Sequence, residues 1–154
     1  MLSRRVLLTV AGGAALATDL ATASWADSKH PTTGDKAAVK IGIALEDTTI
    51  AATLDGNPAA RDFLSLLPLS VVLEDYAATE KIFHLPRKLT TSGLPDGYEP
   101  RAGDIAYYAP WGNIAIFYKD FRYSPGLVKL GVIDTGLEAL VRGASMKATV
   151  APVP

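Results

Sequence analysis

The run Gly103 to Asp120, GDIAYYAPWGNIAIFYKD, constrains the fold more than any other stretch of this chain. Two aromatic-rich segments flank a compact Pro-Trp-Gly-Asn turn, which is the pattern of a β-hairpin. Alternation puts Ile105, Tyr107 and Ala109 on one side of the first strand and Ala106 and Tyr108 on the other. On the return strand Ile114, Ile116 and Tyr118 alternate with Ala115 and Phe117. Both faces are apolar. A strand with one wet face alternates apolar with polar residues, so this pair is expected to be covered on both sides, as in a closed barrel or the centre of a sandwich. Core packing is the ordinary explanation of its aromatics, ahead of ligand contact.

The rest of the chain supplies short elements of the same kind. Val39 to Leu45 alternates clearly, turns at Glu46-Asp47 and returns through Thr48 to Leu54, a second hairpin. Asn57 before Pro58 reads as an N-cap, followed by a two-turn helix ending at Pro68 that buries Phe63, Leu64, Leu66 and Leu67. Leu69 to Glu74 and Lys81 to Leu85 form a further strand pair, stopped by Pro86. Thr90 to Ala102 is a turn-rich surface loop. Leu127 to Ile133 is another strand, Thr135 to Val141 is either strand or helix, and residues 143–154, ending Ala-Pro-Val-Pro, read as a disordered tail. Seven or eight short strands with one or two helices argue for a small barrel or sandwich.

The N-terminus speaks to compartment. Ser3-Arg4-Arg5-Val6-Leu7-Leu8, a modestly apolar stretch to Leu20 and then Ser24-Trp25-Ala26 resemble a twin-arginine export signal cleaved after Ala26, which implies a periplasmic or secreted protein. The stretch is too short and too diluted by Thr18, Asp19 and Gly12-Gly13 to span a membrane, so no membrane association is expected after cleavage. Residues 27–38 read as a flexible linker and residues 39–142 as one domain. A net charge of −1 with no basic run gives no reason to expect nucleic acid as a partner. The absence of cysteine excludes disulfides, thiolate catalysis and Cys-ligated zinc.

Four blocks carry a family resemblance: ATLDGNPAARDFLSLLPLSVVLEDY, EKIFHLPRKL, GYEPRAGDIAYYAPWGNIAIFYKDF and LVKLGVIDTGLEAL. In this order they resemble the bacterial cyclophilin-like family, from Val39 to about Arg142. The resemblance implies a mainly β fold, a small closed β-barrel of cyclophilin type with one or two short helices, and no established activity. True cyclophilins carry Phe-His-Arg on one strand, a Phe-Met-x-Gln-Gly-Gly-Asp run, and a Trp and a His around a proline pocket. Here Phe83-His84 is followed by Leu85-Pro86 before Arg87, the chain has no glutamine, and its methionines are Met1 and Met146. Arg87 is the candidate guanidinium for easing rotation about the prolyl bond, whose barrier is about 18–20 kcal/mol.

Other chemistries find little support. His30 and His84 are the two histidines, too few for a three-His metal site, and no metal or other cofactor is expected. No Gly-x-Ser-x-Gly elbow and no phosphate-cradling glycine loop occurs. Glu46-Asp47 and Glu74-Asp75 sit at turns, where solvated charge is the ordinary explanation. The reading that remains is a module binding an extended peptide or a small apolar ligand, with weak peptidyl-prolyl isomerase activity as the alternative. The site candidates are Phe83, Arg87, Tyr108, Trp111, Asn113 and Phe117. Trp111, in a turn, is less easily explained by burial than a mid-strand tryptophan, although packing over the barrel end explains it equally well.

Overall fold

In a computed structural model, residues 37–154 are described. The expected leader and most of the expected linker lie outside them. Ten strands run in chain order: β1 (Val39–Ala44), β2 (Thr49–Leu54), β3 (Leu69–Tyr76), β4 (Glu80–His84), β5 (Gly97–Tyr98), β6 (Asp104–Tyr108), β7 (Asn113–Phe117), β8 (Ser124–Pro125), β9 (Leu127–Thr135) and β10 (Ser145–Pro152). Eight of them close a barrel in the order β1-β10-β3-β4-β7-β6-β9-β2, every pairing antiparallel, and β5 and β8 form a separate two-stranded ribbon. Closure leaves the barrel strands no free edge.

Residues expected as a tail form β10, which corrects the domain boundary at Arg142. Ala148 and Val150 point inward and are buried, and the strand pairs with β1 on one side and β3 on the other. The sequence from Ser145 on is short in large apolar residues, because only alternate positions face the core. A strand that finds partners on both edges does not need the hydrophobicity of one that must pack on its own.

Two short elements lie at the barrel ends. Helix α1 (Pro58–Leu64) starts where β2 ends; Asn57 Oδ1 accepts the Ala60 N–H at 2.8 Å and its Nδ2 donates to the Lys129 carbonyl at 2.9 Å. A 3₁₀ turn (Leu137–Val141) follows β9 and settles the segment that the sequence left as strand or helix. Since β2 and β9 are antiparallel, the two elements sit at opposite ends, burying Phe63 at one and Leu140 at the other.

The hairpin β6–β7 is buried on both faces, as its sequence predicts. Ile105, Tyr107, Ile114 and Ile116 face the barrel interior with Ile41, Ile43, Ile50, Leu54, Leu73, Leu130 and Val150. Ala106, Ala115 and Phe117 face outward, where they join Ile82 and Leu127 under Tyr98, Tyr108 and Phe121. The loops around the β5–β8 ribbon therefore cover part of the outer wall, and the uncovered remainder of that wall is where the site lies.

Candidate functional site

A cavity of about 350 Å³ opens on the outer face of the barrel. Its floor comes from β7 and β9 (Asn113, Phe117, Leu127), one wall from the end of β3 and the start of β4 (Tyr76, Ala77, Thr79, Glu80), and the opposite wall from the covering loop (Phe121 to Pro125). Tyr108 and Trp111, from the end of β6 and the turn after it, complete the lining.

Strand pleating decides which residues arrive here. Glu80 lies opposite Phe117 and His84 opposite Asn113, so Glu80, Ile82 and His84 share the outward face of β4 with Asn113, Ala115 and Phe117 of β7. Trp111 is 53% exposed and lies edge-on to two rings, Tyr108 at 5.3 Å and Tyr76 at 5.6 Å between centroids. This chain of rings joins the β6–β7 turn to the end of β3, along one side of the cavity. On the other side Phe121 stacks on Phe117 at 6.4 Å, and the exposed Arg122 guanidinium lies 4.9 Å above the Phe121 ring.

Two polar groups stand out. Asn113 is 1% exposed; its Nδ2 donates to the Ile114 carbonyl at 3.3 Å, and its Oδ1, buried away from solvent, has no hydrogen-bond partner. A buried polar atom left unpaired costs about 1–3 kcal/mol, so a native structure that keeps one calls for a reason. Glu80 is half-buried, and burial pushes its carboxyl from 4.5 up to about 7.

Below Glu80, Lys81 points into the barrel end with 1% of its side chain exposed. Its ammonium donates to Asp75 Oδ1 at 3.1 Å and to the Gly143 carbonyl, and Tyr118 donates its hydroxyl to the same Asp75 oxygen. The hydrogen bond from Tyr118, then that from Lys81, holds the Asp75 carboxyl below the usual carboxylate range. This cluster ties β4 to the segment before β10 and fixes the end of β4 from which Glu80 projects.

Of the six residues singled out from the sequence, four meet at this cavity: Tyr108, Trp111, Asn113 and Phe117. Phe83 and Arg87 lie elsewhere. Phe83 is one residue out of phase with Ile82, points into the barrel and packs 6.4 Å from Phe63 of α1. Arg87 pairs with Asp62 of α1 at 2.7 Å and donates to Ser65 Oγ, while Asp62 also accepts the Thr90 N–H. The Arg87 hydrogen bond, then the backbone one, lowers the Asp62 pKa. The guanidinium is thus engaged in fastening the loop after β4 to α1, and it does not border the cavity. Sequence reasoning missed Tyr76, Glu80 and Arg122, although the period-2 alternation that placed Phe117 outward would have found Glu80 once its strand partner was known.

A family model described as cyclophilin-like family matches residues 43–151. The solution structure of a hypothetical protein from Archaeoglobus fulgidus is similar at a TM-score of 0.60 and 15% identity, over 75% of this chain and 95% of that one. At that identity the likeness bears on fold alone. No curated protein matches the chain.

Proposed function

The chain belongs to the cyclophilin-like family, and from that premise we propose that it is an exported, non-catalytic module that binds an extended peptide or a small apolar ligand in the outer-face cavity. The observation that carries this reading is the aromatic-lined cleft itself, in which Trp111 stands 53% exposed between the rings of Tyr108 and Tyr76. The aromatic chain Tyr108–Trp111–Tyr76 provides apolar contact area, and the volume suits a few residues of peptide or a molecule of moderate size.

Prolyl isomerisation is the second reading, and the observation that favours it is Arg122. It is the guanidinium at the cleft, in place of Arg87, and the chemistry asks for such a group beside an apolar pocket. Against it, Arg122 is exposed and stacked on Phe121.

A thermal-shift screen of peptides and small apolar compounds, followed by titration of Trp111 fluorescence, tests the binding reading; no shift from any compound at millimolar concentration would sink it. In parallel, the chain is expected to accelerate X-Pro isomerisation in a short peptide little or not at all. Uncatalysed isomerisation takes tens to hundreds of seconds, which makes weak catalysis visible. A strong acceleration abolished by Arg122→Ala, with the fold intact, would install the second reading. Export rests on the leader alone. Replacing Arg4 and Arg5 together by Lys is expected to leave the protein in the cytoplasmic fraction, and undiminished export would refute that route.

A further inference from the structure

The polar chemistry of the cleft is one-sided. Asn113 and Phe117 are four residues apart on one face of β7, about 13 Å at strand rise, and Glu80 stands opposite Phe117. Asn113 therefore lies buried in the floor at one end of the cleft, and a carboxyl stands at the other. Oδ1 of Asn113 has no donor. Among the described residues Glu80 has no ion-pair partner: the nearby ammonium of Lys81 is turned inward to Asp75. Between these ends run the rings of Tyr108, Trp111 and Tyr76, whose faces attract cations. Arg122, the one cationic side chain of the lining, is exposed at the mouth and stacked on Phe121, so water screens it.

We infer that the cleft selects a cationic extended peptide, with a lysine-type ammonium held by Glu80 beside Tyr76, its strand partner, and Trp111. The inference rests on the binding reading above and names its ligand class. The rise of the Glu80 pKa to about 7 through burial agrees with it, since a bound ammonium supplies the counter-charge that the carboxylate lacks in the free protein.

The experiment uses the full chain with Trp25→Phe, which leaves Trp111 as its sole tryptophan. Fluorescence is titrated with acetyl-dialanyl-lysinamide and with its norleucine and glutamate counterparts at pH 8. The lysine peptide is expected to bind at least about tenfold tighter than either. Glu80→Gln removes the preference for lysine over norleucine, whereas Tyr108→Ala weakens both peptides alike. Circular dichroism confirms that each variant folds.

In the unaltered chain the preference declines as pH falls below about 7, where Glu80 takes up its proton. The charged or titratable groups near Glu80 are Glu74, Asp75 and Tyr76 on β3, Lys81 on β4, Tyr118 after β7 and Arg122 in the covering loop, Glu74 lying diagonal to it on the same face. A His84→Asn control removes the imidazole on the same face of β4. Equal affinity for the three peptides would overturn cation selectivity and leave the binding reading standing. Binding of none of them would overturn it as well, and the broader screen then decides whether the cleft binds at all.

Discussion

Two side chains at the cleft are expected to cost the fold stability. Leucine at position 113 keeps asparagine's branching with bulkier methyl ends and removes the unpaired oxygen, so Asn113→Leu should stabilise the fold by about 1 kcal/mol in urea titration. A loss of stability would show that overpacking outweighs the unpaired oxygen or that Oδ1 is satisfied in solution. Glu80 behaves similarly, with a pH signature. Its carboxyl has a higher pKa folded than unfolded, so the folded state holds the proton more tightly and the wild type gains stability as pH falls from about 7 to 4.5. Glu80→Gln should therefore be more stable than wild type at pH 8, by about 1–2 kcal/mol after allowance for solvent screening, and equal to it at pH 4.5. The carboxylates held low by their partners, Asp62 and Asp134 among them, contribute above their ordinary value of 3.8 and lose that contribution only below it, outside this window. Phe117, 1% exposed between the strand and Phe121, stands for the outer core: Phe117→Ala should cost about 3–5 kcal/mol, and a loss under about 1 kcal/mol would contradict its burial.

Among the elements, the turn from β3 to β4 departs from what its residues prefer. Thr79 donates its N–H to the Tyr76 carbonyl, and the two central residues, Ala77 and Ala78, have φ of 52° and 51°. A turn of type I′ demands such angles, and they suit Asn-Gly far better than alanine. The double change Ala77→Asn, Ala78→Gly should raise stability by about 1 kcal/mol, measured as the urea midpoint at unchanged slope. Unaltered or lower stability would mean that the side chains at this turn matter more than its backbone. On β9 the constraint runs the other way. The register with β6 shifts between Ile105 and Ala106, a bulge that leaves Leu130 fully buried, and the backbone of β2 closes tightly over Gly131. A Cβ on Gly131 would meet the Thr53 carbonyl at 2.1 Å. Gly131→Ala should cost about 3 kcal/mol or prevent folding, because backbone on the facing strand cannot move aside as a side chain does.

At the scale of the whole molecule, stability depends on closure. β10 is the only strand that links β1 to β3 in the described barrel, so its removal exposes two edges and opens the inner core at Ile41, Ile43 and Leu73. Truncation after Arg142 should abolish cooperative unfolding, followed by circular dichroism, and leave an aggregation-prone chain. A truncated protein that still unfolds cooperatively would show that the barrel tolerates a gap there.

The sequence by itself determined the central hairpin, its two apolar faces and the cap of α1, because pleating, turn chemistry and helix capping act between neighbours in the chain. The four blocks in their order gave the family and with it a closed barrel. What only the tertiary structure decided was who meets whom across strands. Phe83 and Arg87 stood beside plausible site residues in sequence, yet a shift of one residue turns Phe83 into the core and an ion pair to α1 claims Arg87. Glu80 fell between two expected strands and drew no role, and its pairing opposite Phe117 set it in the cleft. β10 looked like a tail until β1 and β3 supplied both edges. Each of these outcomes depends on contacts between residues distant in the chain, and local pattern carries no record of them.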